Sequence, residues 1–191
     1  MKTINIKFWI ICLILITGFT GAYNSVDAQS KKETRKARKE AEKAMLVANF
    51  HAQDTVFNLK AFVLEADYLR GRRGEMIPVS SKINFVSVID AQGTLQTGAN
   101  GFFGSNGLGG QTVQGNISNY KVSGNTKSLT HNISFDLVSP VGTFNIVMNI
   151  MANNTASATI TGTNSTRLTW QGNVVALFNT DTFQGESSYR R

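Results

Sequence analysis

Two histidines, His51 and His131, are all the imidazole in this chain of 191 residues. Nucleophilic hydrolysis needs one of them beside a hydroxyl or thiol, oriented by a carboxylate. No G-x-S-x-G turn presents a serine that way. The one cysteine, Cys12, lies in an apolar N-terminal run. Asp90 and Asp136 could form the carboxylate pair of a glycoside hydrolase. Asp90 sits among turn residues and Asp136 on the polar side of an alternating segment, so solvation accounts for both. A metal site needs clustered His, Asp and Glu, and the acids here are scattered with no histidine pair at ligand spacing. The residues point to no catalytic group, no metal and no cofactor.

Six residues stand out as ligand contacts. Phe102 and Phe103 sit in a loop, residues 99–110, with five glycines. Such a loop permits close backbone approach and could cradle an anion. No Lys-Ser/Thr pair follows and the next element is a strand, so a phosphate loop is excluded. The loop either presents the two phenylalanines to a ligand or uses them to close a barrel end. Arg72 and Arg73 lie between Gly71 and Gly74 in a turn, where they could grip a carboxylate or phosphate or simply be solvated. The G-x-x-G spacing of RNA-binding KH modules joins two helices, and here both flanks look like strands. His131 and Trp170 fall on apolar strand faces, as interior polar handles or as hydrogen-bonded core residues.

The elements that must hold these residues begin after a leader. Lys2 and Lys7 precede an apolar run from Phe8 to Phe19 of about a dozen residues, the length of a secretory h-region and too short to span a bilayer. Val26-Asp27-Ala28 offers a cut before Gln29, so residues 1–28 are expected to be a signal peptide and the protein to be exported, in the periplasm. Cys12 follows Ile11 and lies early in the run, which does not suit lipid attachment. The cut removes it, leaving a domain without disulfides that its core alone must stabilise.

The formal charge of +7 is unevenly placed. Lys31, Lys32, Arg35, Lys36, Arg38, Lys39 and Lys43 face only Glu33, Glu40 and Glu42 in the next stretch. Residues 29–50 thus carry a net +4 and the much longer remaining domain only +2, which argues against nucleic acid as a partner. This stretch reads as a helix: Ser30 to Glu33 fits a capping box, strong helix formers follow, and Ala37, Ala41, Ala44 and Ala48 form a narrow stripe. It would be a solvated spacer or, through residues 31–43, a peripheral contact with an anionic envelope polymer or with lipid head groups.

From Thr55 the pattern turns to period two, giving one β-domain over residues 51–191. Leu129, His131, Ile133, Phe135 and Leu137 share one face of the clearest strand. Phe144, Ile146, Met148 and Ile150 line another, then Ala156, Ala158 and Ile160, then Leu168, Trp170, Val174 and Ala176. Earlier candidates are 56–68, 77–89, 94–98 and 111–122, with a parity change that suggests a bulge near Ser118-Asn119. Short turns such as Ser139 to Gly142 and Asn153-Asn154 require antiparallel neighbours. The expected fold is all-β: an antiparallel meander of about eight strands forming an up-and-down barrel or curled sandwich, preceded by one N-terminal α-helix. The apolar side should face inward, the reverse of an outer-membrane barrel.

Several pieces together resemble the domain-of-unknown-function family numbered 4251, small exported proteins of Gram-negative gut anaerobes. They are Ala66-Asp67, Gly71 to Gly74, Ile77 to Ser81, Asn84 to Val88, the glycine-rich Gly101 to Gly110, and Val113 to Tyr120. The resemblance implies an envelope location and a single β-rich domain. It brings no established activity and no functional residues. The triplet Asp54-Thr55-Val56 matches an O-glycosylation motif of such envelope proteins. The N-x-S/T sequons at Asn116, Asn132, Asn153 and Asn164 carry little weight in a bacterial chain.

The leading functional expectation is a non-enzymatic binding module with a lipocalin-like barrel for a small apolar ligand. One alternative is a scaffolding envelope protein with a filled core that binds a protein or glycan. An unrecognised hydrolase is the remaining one.

Overall fold

The computed structural model describes residues 23–70, 74–98, 110–163 and 167–185, with side chains from Lys31 onward. Residues 1–22 of the expected leader, Arg72, Arg73, Phe102 and Phe103 lie outside the described residues. The chain falls into two units, one ending at Met45 and one starting at Leu46.

Among the described residues one α-helix, α1 (Tyr23–Asn58), runs for 36 residues and belongs to both units. Every side chain from Lys31 to Met45 is exposed. The expected capping box is not used, because the helix already runs upstream of Ser30. In a chain cut before Gln29, Ser30 would return to the first turn. The expected end at residue 50 is also too early. Helix continues to Asn58, because Phe50, Gln53 and Phe57 recur at helical spacing and all three are buried. The helix stops where Lys60 takes φ of 50°, with Leu59 N donating to Thr55 O at 3.0 Å. That left-handed exit is normally taken by glycine.

Among the described residues nine strands follow: β1 (Ala61–Arg70), β2 (Met76–Pro78), β3 (Phe85–Ile89), β4 (Gln92–Gln96), β5 (Thr112–Asn125), β6 (Thr130–Ser139), β7 (Gly142–Met151), β8 (Thr155–Gly162) and β9 (Arg167–Ala176). A 3₁₀ turn, Leu177–Asn179, comes after β9. Strands β3 to β9 pair in sequence order, and β1 pairs with both β3 and β9. All pairings are antiparallel. Eight strands therefore close into a barrel. The ninth, β2, adds to the outer reach of β1, pairing Tyr68 to Arg70 with Pro78 to Met76. The sandwich alternative falls away, and the fold is mainly β with a long helix rather than purely all-β. The expected strand 56–68 begins only at Ala61. The expected strand 77–89 divides into β2 and β3, since Pro78 has no N–H to continue a ladder.

Period-two alternation puts Ile133, Phe135, Leu137, Ile146, Met148, Ile150, Ala158, Ile160 and Trp170 inside, each at most 2% exposed. Small residues make room for large ones: Ala158 pairs with Trp170, and Ala156 with Gly172. The seam between β1 and β9 is the tightest place. A Cβ on Gly172 would lie 1.9 Å from the Glu65 carbonyl oxygen. The register slips there, between Ala66 and Tyr68. The expected β5 bulge is present between Ser118 and Lys121, with Asn119 at φ of 52°. It turns the Asn119 amide onto Asp136 Oδ2 at 2.7 Å, while Asn145 donates to Oδ1 at 2.8 Å. These two hydrogen bonds, that from Asn119 first, hold the Asp136 carboxyl below the usual carboxylate range.

The chain's last described residues are tied across the start of β3. The buried Gln96 side chain donates to Phe183 O at 2.8 Å and accepts from Gly185 N at 2.7 Å. Phe183 N donates to Lys82 O at 2.8 Å.

Candidate functional site

The two ends of the barrel differ in chemistry. One end, where β1 starts and β7 finishes, is plugged by the last turns of α1. Phe57 is fully buried and meets Phe62 edge to face at 5.2 Å. The phenol of Tyr120 donates to Phe57 O at 2.7 Å, and burial pushes that phenol well above its ordinary range. Lys60 Nζ lies 5.0 Å from the Tyr120 ring centre, within reach of a cation–π contact.

His131 belongs to this plugged end. It is 0% exposed and stacks on Phe50 at 4.2 Å. Its Nδ1 lies 3.2 Å from Gln53 Oε1 and its Nε2 lies 2.7 Å from Asp54 Oδ1. Gln53 spends its amide hydrogens on Met151 O at 3.0 Å and Asn154 Oδ1 at 2.8 Å. That fixes its oxygen toward the imidazole. Asn49 adds bonds to Ala152 O and Asn154 Oδ1. The turn after β7 supplies these acceptors because Asn154 adopts φ of 70°, a conformation asparagine tolerates. His131 is thus a hydrogen-bonded latch between helix and barrel: its partner Gln53 lines a cavity of about 270 Å³ at this end, but His131 itself is buried behind it. Asp54 also lies 3.7 Å from His51 Nδ1. Among the described residues no serine or threonine hydroxyl is hydrogen-bonded to either histidine, and no group of three or more His, Cys, Asp or Glu could hold a metal ion. Thr55 of the Asp54-Thr55-Val56 triplet is exposed on the helix.

The opposite end is a mouth. The finishing residues of β4 and β8 and the first residues of β5, β7 and β9 surround a cavity of about 390 Å³. Its apolar wall is Leu95, Val113, Phe144, Ile160 and Leu168. Thr97, Gln111, Val141 and Thr163 stand at the rim, and no charged side chain lines it among the described residues. Thr163 is occupied within the rim, accepting from Thr143 N at 3.0 Å and donating to Thr143 O at 3.1 Å. Gly98 and Thr163 stand at this end, and the residues that follow them, 99–109 and 164–166, are outside the described residues. Trp170 does not line the cavity. It lies one inward position below Leu168 on β9, fully buried, and its Nε1 is without a hydrogen-bond partner. Such an orphan donor normally costs about 1–3 kcal/mol.

Of the six sequence candidates, the structure places His131 in the helix latch and Trp170 in the core beneath the mouth. It does not bring the two together. The cavity walls were legible only as inward positions of ordinary strands. Nothing in their types separates Leu95 or Leu168 from core residues, since it is their place at strand ends that leaves them beside open space.

A closed eight-stranded antiparallel barrel, with a helix in one end and an apolar mouth at the other, defines a class of small mainly-β domains. The chain belongs within it to the family described as a domain of unknown function, DUF4251, which it matches over residues 26–174. It is also similar to a crystal structure of a DUF4251 family protein from Bacteroides eggerthii. That likeness has 30% identity and a TM-score of 0.60, and covers 71% of this chain and 92% of the other. No curated protein matches the chain.

Proposed function

We propose that the protein is a non-enzymatic binding module of the cell envelope, exported by a leader cut before Gln29, that takes a small apolar ligand into the barrel mouth. The cavity of about 390 Å³ carries this reading. Ligand sites commonly run from about 300 to 1,000 Å³ with mostly apolar walls. This one lies at the small end, so it suits one compact molecule or a single ring or chain of a larger one. The uncharged lining favours an uncharged occupant, because burying an unpaired charge is costly. The barrel centre is filled by Trp170, Phe135, Ile133 and Met148. A deep lipocalin-like chamber is therefore not the mode, and the ligand sits at the rim. The filled centre also favours the scaffolding reading, in which a protein or glycan partner uses the outer surface.

Two measurements separate these readings. Mass spectrometry of organic extracts from natively purified protein should find a recurrent small apolar molecule. Titration with N-phenyl-1-naphthylamine should give saturable fluorescence that Leu168→Trp weakens by narrowing the mouth. Absence of both leaves the scaffold reading and overturns ligand carriage.

A further inference from the structure

We propose that α1 docks on a bilayer of anionic lipids through one basic face, independently of the mouth. At about 100° per residue, Lys31, Lys32, Arg35, Lys36, Arg38, Lys39 and Lys43 all fall within an arc of about 160°. Glu42 is the one acid inside that arc. Glu33 and Glu40 lie outside it, with Thr34, Ala37, Ala41, Ala44 and Met45. The net charge of the segment is thus concentrated on one half of a rod about 18 Å long. Every one of these side chains is exposed. Lys36 meets Glu40 at 3.9 Å, with both side chains at least 70% exposed, an arrangement that holds charge only weakly.

A helix with this distribution suits a flat array of phosphates. The opposite side carries alanines and no bulky apolar group except Met45, so it has nothing to drive into the acyl layer. Contact would remain at the headgroups and depend on charge, and salt would screen it. Seven like charges on one face repel each other in solution, and neutralisation by headgroups would relieve that repulsion.

The test is sedimentation of the full chain with vesicles of phosphatidylcholine containing phosphatidylglycerol at about one lipid in three, compared with pure phosphatidylcholine. Binding should require the anionic lipid and fall steeply between low and high salt. Each base near an anionic surface contributes about fivefold, so Lys32→Gln, Arg35→Gln and Lys39→Gln together should weaken binding about 100-fold. A second variant keeps composition but spreads the charge: Arg35→Ala with Ala37→Arg, and Lys39→Ala with Ala41→Lys. A loss of about tenfold or more in this variant, with unchanged helical circular dichroism, supports a face. Equal binding by the spread variant overturns it, since net charge alone would then suffice. So does retention on purified peptidoglycan or duplex DNA without binding to the anionic vesicles.

Discussion

Replacing His131 with leucine tests whether the polar latch holds the helix in the barrel. Leucine keeps an apolar body against Phe50 and Phe57 but removes both ring nitrogens. Gln53 is 6% exposed, so its Oε1 would lose a buried partner at a cost of about 1–3 kcal/mol. Asp54 has a side chain 41% exposed; water can replace much of its lost bond, which adds at most about 1 kcal/mol. The expected total is about 1–4 kcal/mol. At about 2–4 °C per kcal/mol for a chain this long, the melting midpoint should fall by about 2–15 °C. The assay is urea and thermal unfolding with amide exchange by mass spectrometry. Exchange should rise first in residues 46–58, before the strands β6 to β8. Adding Gln53→Leu to His131→Leu should cost less than the two single changes summed, because both partners then become apolar. A loss below about 0.5 kcal/mol, with unchanged exchange in the helix, would refute the latch.

Gly172→Ala places a methyl against the Glu65 carbonyl. We expect it to prevent closure of the barrel, read as loss of soluble, cooperatively unfolding protein, whereas Gly74→Ala should not. Asn119→Ala with Asn145→Ala should raise the Asp136 titration toward the ordinary aspartate value, followed by carboxyl-carbon NMR. A carboxylate held low when folded adds stability above its unfolded pKa of about 3.9, and that stability is lost as pH falls through the folded value. The double variant should therefore narrow the acid-side stability difference slightly, Asp136 being largely hydrated. The sequence holds two tryptophans, and cutting before Gln29 removes Trp9. Trp170 should then be the sole emitter, blue-shifted and protected from iodide; red-shifted, readily quenched emission would contradict its burial.

The alternating strands were readable because each buries one face and shows the other to water. Residues Thr130–Ser139 and Gly142–Met151 carry that rule almost without exception, and the β5 bulge at Ser118-Asn119 was readable as a slip in parity. The helix end was not. Val56 and Phe57 sit where alternation appeared to begin, and the polar Gln53 interrupts the helical stripe that Phe50 and Phe57 define. Gln53 is polar because it serves the latch, so the residue that docks the helix also obscured it. His131 was legible as an inward histidine, yet its partners lie 78 and 77 residues upstream, and no local pattern links them. The mouth was hidden for a different reason: a cavity is a gap between residues, and sequence periodicity reports only which way each residue points.

The seam between β1 and β9 also sets an order of events. Phe62 in the first strand faces Ala176 in the last, so the barrel cannot close until nearly the whole chain is available. A chain threaded into a new compartment N-terminus first would hold the long edge of β1 open throughout its passage. Such an edge is a template for stray pairing, and non-local closure is slow. Were the protein exported, as proposed above, its delivery would depend on a holding factor or on rapid release, and its yield should respond to translocation speed more than to the stability of the finished barrel.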